Sequence, residues 1–339
     1  MNAEVKELVL TAWKCFSKEK PKKILNFPAG YKNNLYMLFV GDEYYILTIY
    51  KPNIFTNEEI SLRCQIENTL KQNGINVIPP IKGFNGKFLQ LFSSGNKEFQ
   101  TKATKYNELV LVNENKVPTV KIVEEMARHL RDLHSKLKII KDELPFKTFD
   151  IEAKLTEMSD TKTIFAIRDY FKDNNFSTLP DEGQLIEDYT GEIDFLKKYF
   201  EKRDVFKTKQ PIHADYQLSN LLIHNEKISA IFDFDEILLA PVLYEIAITL
   251  LYTDVIYFQP TELLFSNFLK HYYNKNGIDE KTVKDLIVLL RYRCVYKIYR
   301  WFVYKRFLKV ASQAKHYGCF YERLNYYKQI KASDILKLL

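Results

Sequence analysis

Glycine is scarce in this sequence, with only ten in a chain of 339 residues. They stand at positions 30, 41, 74, 83, 86, 95, 183, 191, 277 and 318. No two are separated by a single residue and no two are five apart. The G-x-G-x-x-G turn of dinucleotide folds and the Walker A loop are therefore both excluded. A nucleotide, if one is bound, has to be gripped another way. Cysteine is rare as well. Cys15, Cys64, Cys294 and Cys319 are scattered and form no C-x-x-C, so they read as reduced core thiols of a cytoplasmic protein. Long apolar runs are also missing. The longest stretch without a charged residue is ten, as in Gln72 to Ile81, whereas a membrane-spanning helix needs about 20 apolar residues. Glu4, Lys6, Glu7 and Lys14 interrupt the N-terminal segment, which does not read as a secretory signal.

What is present suits a folded α+β chain. Hydrophobic residues make up 46% and aromatics 14%, enough for a sizeable core. The length fits one to three domains. The formal net charge of +7 suits an anionic ligand without demanding nucleic acid.

The first ninety residues read as strands with one helix. Lys23 to Phe27 is a short strand, and Asn34–Val40 and Glu43–Tyr50 form a hairpin through Gly41-Asp42. A helix runs from Asn57 to about Gln72, with Ile60, Cys64, Ile66 or Glu67, and Leu70 at helical spacing, and stops at Asn73-Gly74. Residues 81–84 and 87–92 suggest a second hairpin. Residues 93–117 are the most loop-like part, and helical patterns dominate beyond them. Val123, Met126, Ala127, Leu130, Leu133, His134 and Leu137 make an amphipathic stripe. Further helices are expected at 149–173, 184–202, 242–254, 261–275, 281–311 and 320–338. One β island interrupts them: Pro211–Asp215, Asn220–His224, a turn at Asn225-Glu226, and Lys227–Asp233. The expected organisation is an N-terminal nucleotide-binding lobe over 1–92 and a mainly helical lobe over 93–339, the latter carrying the catalytic loop and the acceptor site.

The β island carries the chemistry. It reads His213-Ala214-Asp215-Tyr216-Gln217-Leu218-Ser219-Asn220, then Ile231-Phe232-Asp233-Phe234-Asp235. An Asp, an Asn five residues on and a second Asp thirteen beyond that suit metal-assisted phosphoryl transfer. Such chemistry asks for a carboxylate near the acceptor hydroxyl and for oxygen ligands to Mg²⁺. Asp215 suits the first task, and Asn220 and Asp233 the second. Taken singly, Asp215 and Asn220 equally suit the capping of a turn; the spacing to Asp233 decides against that. The Asp233-Phe234-Asp235 stretch also matches the D-x-D-x-T motif of haloacid-dehalogenase-like phosphatases. Ile237 stands at its Thr position, and no adjacent acidic pair follows downstream to hold the metal.

H-x-D-x-x-x-x-N followed by a hydrophobic residue and D-F resembles the aminoglycoside/choline phosphotransferase family, relatives of the protein kinases. Tyr244-Glu245-Ile246-Ala247-Ile248 resembles the family's Y-D-L-A segment, and Leu130 to His134 its L-x-x-L-H helix. Glu58 to Ile75 is similar to its small-lobe helix, and Ile46 to Tyr50 to the third strand of its homoserine-kinase-like branch. The resemblance spans about residues 25 to 255 and implies a two-lobed protein-kinase-like α+β fold. It also implies transfer of the γ-phosphoryl group of ATP (or GTP), with Mg²⁺, to a hydroxyl of a small molecule. Amino alcohols, homoserine-like, choline-like and aminoglycoside-like acceptors all come into question. His213 would support the catalytic loop, and Glu245, in place of the family's Asp, would anchor its backbone. Asp235 is either an outer acid of the site or a cap. His134 reads as a core histidine.

The nucleotide-facing residues are less sharply marked. The loop before the second strand holds Gly30, Lys32 and Asn34, and fits either a phosphate cover or a plain turn. The family has a Lys or Arg in the third strand, paired with a helix acid; here that position is Thr48. Lys51 and Lys32 are the candidate cations, and Glu58 or Glu59 the candidate acid. By the same resemblance Gln90 to Ser93, including Phe92, would be the hinge that meets adenine. Thr48 and the sparse glycine motivate a second reading, a non-catalytic structural or regulatory relative like the spore-coat members of the family. A protein kinase of the ordinary type lacks support, because no D-F-G to A-P-E segment is present.

One stretch remains. Arg291, Arg293, Lys297, Arg300, Lys305, Arg306 and Lys309 interleave with Tyr292, Tyr296, Tyr299, Trp301, Phe302 and Tyr304. A helix that buries its aromatics and solvates its basic residues accounts for this pattern first, the lining of an acceptor pocket second, and nucleic acid last. No nucleic-acid partner and no oligomer is inferred from the sequence.

Overall fold

The computed structural model describes residues 1–27, 33–106, 119–142, 144–173, 182–257, 261–274, 277–308 and 315–339. The chain divides into two compact units. The first comprises Met1–Asn113, Asp142–Leu144 and Ser219–Asp235; the second comprises Glu114–Lys141, Pro145–Leu218 and Glu236–Leu339.

The first unit is built on an antiparallel sheet of β1 (Lys23–Phe27), β2 (Asn33–Val40), β3 (Glu43–Tyr50), β4 (Gln90–Ser94) and β5 (Lys97–Tyr106), in the order β1-β2-β3-β5-β4. The alternation of side chains along a strand gives this sheet two faces. Leu38, Val40, Leu47, Ile49, Phe92 and Ala103 are buried in one core cluster with Val9, Ala12, Trp13 and Phe16. Those four belong to or closely follow α1 (Ala3–Trp13), an element additional to those expected above. Asn2 caps it, its side chain accepting from Val5 N at 2.9 Å. On β3 and β5, Ile46, Thr48, Tyr50, Lys102 and Thr104 alternate with that core set and line a cavity. Helix α2 (Asn57–Gln72) packs Ile60 and Cys64 with Tyr50 and Leu89.

A second small sheet, β7 (Leu221–His224) with β8 (Lys227–Ile231), belongs to this first unit. Its turn residues Asn225 and Glu226 both take positive φ, 48° and 59°, the geometry of a tight hairpin. Ile231 N donates to Asn76 O at 2.8 Å, and Val77 bridges to Ile231.

The unit boundaries therefore differ from the expected 1–92 and 93–339. Residues 93–106 are not loop; they complete the sheet as the end of β4 and all of β5. Of Lys87–Phe92, only Gln90, Leu91 and Phe92 lie in a strand, and they pair with β5; Lys87 O accepts from Gly83 N at 2.9 Å in a turn, so no second hairpin forms with residues 81–84. Residues 219–235 join the first unit through Asn76 and Val77.

The second unit is mainly helical. Helix α3 (Val120–Ile139) buries the stripe read from the sequence, from Val123 to Leu137. The helix expected over 149–173 is two, α4 (Ile151–Met158) and α5 (Thr161–Asp173). They are followed by α6 (Glu182–Glu201), and by strand β6 (Gln210–Ile212), which pairs with β9 (Leu238–Ala240). Next come α7 (Val242–Tyr257), α8 (Thr261–Tyr273), the 29-residue α9 (Glu280–Leu308), α10 (Lys315–Gln329) and α11 (Ala332–Leu336). Ile246, Ala247, Ile248, Leu250 and Leu251 are wholly buried, so α7 is a central helix of this unit. Among the described residues no helix is long and apolar enough to cross a membrane.

Candidate active site

The cavity in the first unit has a volume of about 170 Å³. Thr48, Tyr50, Glu67, Lys102, Asp233 and Asp235 are among its lining residues. Lys102 and Glu67 are both buried, and the Lys102 Nζ donates to the two Glu67 carboxylate oxygens at 2.9 and 3.2 Å. Burial disfavours the Lys102 ammonium, but the Glu67 carboxylate outweighs it and holds the amine well above its ordinary range. A lysine that stays charged beside a pocket is a built-in anion site.

Lys102 stands where the family pattern predicts a cation, but on the neighbouring strand. Thr48 on β3 pairs in register with Lys102 on β5. Directly paired residues of antiparallel strands project their side chains to the same face, about 5 Å apart. Thr48 and Lys102 accordingly both line the cavity. Asp235 lies at the same wall and pairs with Arg63 at 3.8 Å; Arg63 stacks on Phe55, 3.7 Å from the ring centroid.

Asn220 and Asp233 meet at the base of the β7–β8 hairpin. Phe232 N donates to Asn220 O at 3.1 Å, which fixes the backbone just before Asp233 against Asn220. Asn220 is buried, whereas Asp233 is exposed on the cavity wall. Asp233 holds φ at 66°, a left-handed conformation that costs a non-glycine residue about 1–3 kcal/mol and concentrates at functional positions. Among the described residues no three His, Cys, Asp or Glu side chains form a metal-holding cluster. Mg²⁺ does not require one; one or two protein oxygens plus substrate phosphates are its usual set. Asn220 and Asp233 fit that description.

Asp215 belongs to the second unit, on the loop after β6. Glu245 on α7 organises this loop. Its carboxylate accepts from His213 N at 3.0 Å and from Ala214 N at 2.5 Å. His134 on α3 donates through Nε2 to Glu245 at 2.7 Å and accepts at Nδ1 from the Tyr272 hydroxyl at 2.7 Å. One tautomer satisfies both contacts. Ala214 sits at φ 63°, the bend that turns the chain into Asp215. Asp215 N donates to His213 Nδ1 at 3.3 Å, and Gln217 Nε2 lies 3.1 Å from each Asp215 carboxylate oxygen. The carboxylate is thus oriented by its own loop.

A model of the phosphotransferase enzyme family matches residues 24–280. The chain belongs to that family. No curated protein matches it. Among solved structures, an amicoumacin kinase in complex with AMP-PNP, Ca²⁺ and Ami is 18% identical with a TM-score of 0.66, covering 99% of this chain and 96% of that one. A microcompartment-associated aminopropanol kinase is 13% identical with a TM-score of 0.72, each chain covered in full at 100%. A spectinomycin phosphotransferase in complex with ADP and spectinomycin is 18% identical with a TM-score of 0.64, covering 98% and 97%. These likenesses show the fold: a kinase-like α+β architecture with a small sheet unit and a larger helical one.

Several residues expected at the nucleotide site of this phosphotransferase have other tasks. The buried partner of Lys102 is Glu67, not Glu59. Glu59 closes a capping box, accepting from Thr56 N at 3.0 Å while its own N–H donates to Thr56 Oγ1 at 3.2 Å. Glu67, two turns further along α2, is the buried acid. Lys51 lies past the end of β3 and does not line the cavity, and neither does Asn34; its neighbour Asn33 does. Gln90 is a buried strut. Its Nε2 donates to Asn85 Oδ1 and Lys87 O, each at 2.6 Å, and a Cβ at Gly83 would fall 2.4 Å from its Cδ. Phe92 stacks on Phe99, centroids 5.4 Å apart, inside the core shared with α1. Both sit on β4, an edge strand that returns into β5, so 90–93 is not a hinge. Gly30 and Lys32 lie outside the described residues.

Two signals for the missed pair existed in the sequence. Glu67 falls on the buried stripe of α2, where an acid needs a partner. Lys102 sits on β5 between the buried Thr101 and Ala103, in a segment whose mostly polar composition suggests a loop.

Proposed function

We propose that this protein transfers the γ-phosphoryl group of ATP to a hydroxyl of a small molecule, with Mg²⁺. The observation that carries the reading is the shared cavity of Lys102, Glu67, Asp233 and Asp235. It supplies a charged amine for phosphate oxygens and a carboxylate for the metal. In the transfer, the bond from the γ-phosphorus to the bridging oxygen breaks and ADP leaves. A bond forms between that phosphorus and the acceptor oxygen, and the hydroxyl proton passes to Asp215 or through it to solvent. Asp215 orients and receives; Asn220 and Asp233 would hold Mg²⁺, which neutralises phosphate charge when bound. Lys102 takes the part of the third-strand cation, with Glu67 as its acid. Glu245 and His134 are positioning residues for the Asp215 loop. The complexes of structural neighbours with AMP-PNP, ADP and small antibiotics support this reading for a small-molecule acceptor.

The test is AMP-PNP binding with Mg²⁺, followed by single turnover of ATP, in wild type, Asp215→Ala and Asp233→Ala. Asp215→Ala should bind AMP-PNP normally and lose turnover by about 10²-fold or more. Asp233→Ala should lose the Mg²⁺ dependence of binding. A wild type that binds AMP-PNP but turns over no ATP across a panel of alcohols would favour the non-catalytic relative. A wild type that binds no nucleotide sinks both the transfer and the cavity assignment.

A further inference from the structure

The basic aromatic helix α9 takes no part in the phosphate cavity. Arg293, Lys297 and Arg300 are spaced by four and three residues, which puts them on one helix face. Arg293 is buried. Its Nη1 donates to the Tyr244 hydroxyl at 2.8 Å, while its Nε is buried with no hydrogen-bond partner. Its guanidinium lies 5.1 Å from the ring centroid of Tyr296, and that of Arg300 lies 5.8 Å from the same ring. The Lys297 ammonium sits 4.5 Å from the Tyr252 ring centroid and donates to the Tyr252 hydroxyl. Among the described residues, no carboxylate forms an ion pair with Arg293 or Lys297.

Such a cluster is costly unless something compensates it. A buried charge without an opposite charge loses its hydration and gains little in return. Elsewhere on α9 the chain does supply the counter-charge: Arg291 is held by both oxygens of Glu192 at 2.8 Å. On this face, among the described residues, Arg293 Nε has no partner, and Lys297 has a hydroxyl and an aromatic ring but no carboxylate. Burial, then Arg293 and Arg300, pull the Lys297 ammonium down to about 7; Asp215 and Glu236 act in the other direction. Asp215 is the residue that meets the acceptor hydroxyl in the reading above. Helix α7 joins the two: Thr249 Oγ1 donates to Tyr216 O at 2.9 Å, one residue past Asp215, and Tyr252, three residues further along α7, holds Lys297.

We propose that Arg293 and Lys297 bind an anionic group, carboxylate or phosphate, carried by the acceptor, whose hydroxyl then faces Asp215. The acceptor class is a hydroxy acid or a phosphorylated alcohol, not a polycation. This rests on the phosphotransferase reading of Asp215. Arg293 supplies a directed N–H at a fixed place, and Lys297 supplies the charge that the anion draws on. A polycationic aminoglycoside would bring further positive charge to a face that already repels itself.

The test is calorimetric binding in the presence of ADP and Mg²⁺, using matched pairs: D-glycerate and glycerol 3-phosphate against glycerol, L-homoserine against 2-amino-1,4-butanediol, and kanamycin. At least one anionic probe should bind ten-fold or more tighter than its uncharged mate. Lys297→Gln should abolish that preference and Lys297→Arg should keep it, with circular dichroism and AMP-PNP binding reporting the fold of each variant. If no anionic probe binds, if kanamycin or the diols bind as tightly, or if Lys297→Gln keeps the preference, the inference is overturned. Loss of AMP-PNP binding in wild type would instead overturn the phosphotransferase reading beneath it.

Discussion

At the scale of single residues, the Thr48–Lys102 register pair accounts for the most unusual feature of the chain. A cation moved from β3 to its partner position on β5 still projects into the same cavity, because paired positions share a face. Glu67 and Glu59 separate this account from the simpler one in which the first-turn acid is functional. Glu67→Gln should weaken AMP-PNP binding by about ten-fold, since Lys102 loses the charge that holds it protonated and in place. Glu59→Gln should leave nucleotide affinity near that of wild type and cost about 1 kcal/mol of stability through its capping box. Nucleotide titrations and urea unfolding of both variants check the contrast. Equal loss of affinity in the two would contradict it.

A pH dependence also belongs at this scale. The free Lys297 amine titrates near about 7, depressed by burial and by Arg293 and Arg300, with Asp215 and Glu236 opposing. A bound anion favours the protonated amine, so binding takes up a proton. The KM for an anionic acceptor should therefore rise as pH increases above 7, and an uncharged alcohol should show no such trend. A flat KM profile for the anionic acceptor from pH 7 to 9 would count against the assignment.

At the scale of elements, the two functional loops are held by different devices. The Asp215 loop hangs on Glu245 and, through it, on His134 and Tyr272. Glu245→Gln removes the charge from the carboxylate that accepts from the His213 and Ala214 N–H groups, two bonds each worth about 1.5–3 kcal/mol when charge-assisted. The expected outcome is a fall in kcat of ten-fold or more with AMP-PNP affinity unchanged, because the nucleotide cavity lies in the other unit. The sheet that carries Thr48 and Lys102 depends instead on α1. Trp13 is buried against Tyr45, centroids 5.0 Å apart, and its Nε1 donates to Glu19 O at 2.8 Å. Trp13→Ala should cost about 3–5 kcal/mol in chemical denaturation.

Legibility in the sequence follows the range of the interaction. Strand β3, helix α2 and the α3 stripe were readable because local periodicity and caps define them. So was the spacing of Asp215, Asn220 and Asp233, which one loop and one hairpin fix. The Lys102–Glu67 pair was not, because it joins residues 35 apart across a helix and a strand whose alternation is mostly polar. Helix α1 carries a local signal of its own: Val5, Val9, Ala12 and Trp13 recur at helical spacing on one face, and Glu4, Lys6 and Glu7 lie off it. The pairing of β4 with β5 was not readable, because Lys97–Tyr106 has few of the apolar residues by which strands are recognised.

At the scale of the whole molecule, the family match fits a small-molecule phosphotransferase with a kinase-like fold. The net charge of +7 does not locate any ligand; among the described residues, Lys102 lines the first unit's cavity, and Arg293, Lys297 and Arg300 share a face of α9. The scarcity of glycine does not exclude an anion site, because the buried Lys102–Glu67 pair places a charged amine at the cavity without a glycine-rich loop.

The most direct measurement of this central claim is AMP-PNP·Mg²⁺ affinity in wild type, Lys102→Met, and the transposed double variant Lys102→Met/Thr48→Lys. The account predicts a loss of ten-fold or more in Lys102→Met and substantial recovery when lysine returns on β3. Wild-type affinity in Lys102→Met would contradict it.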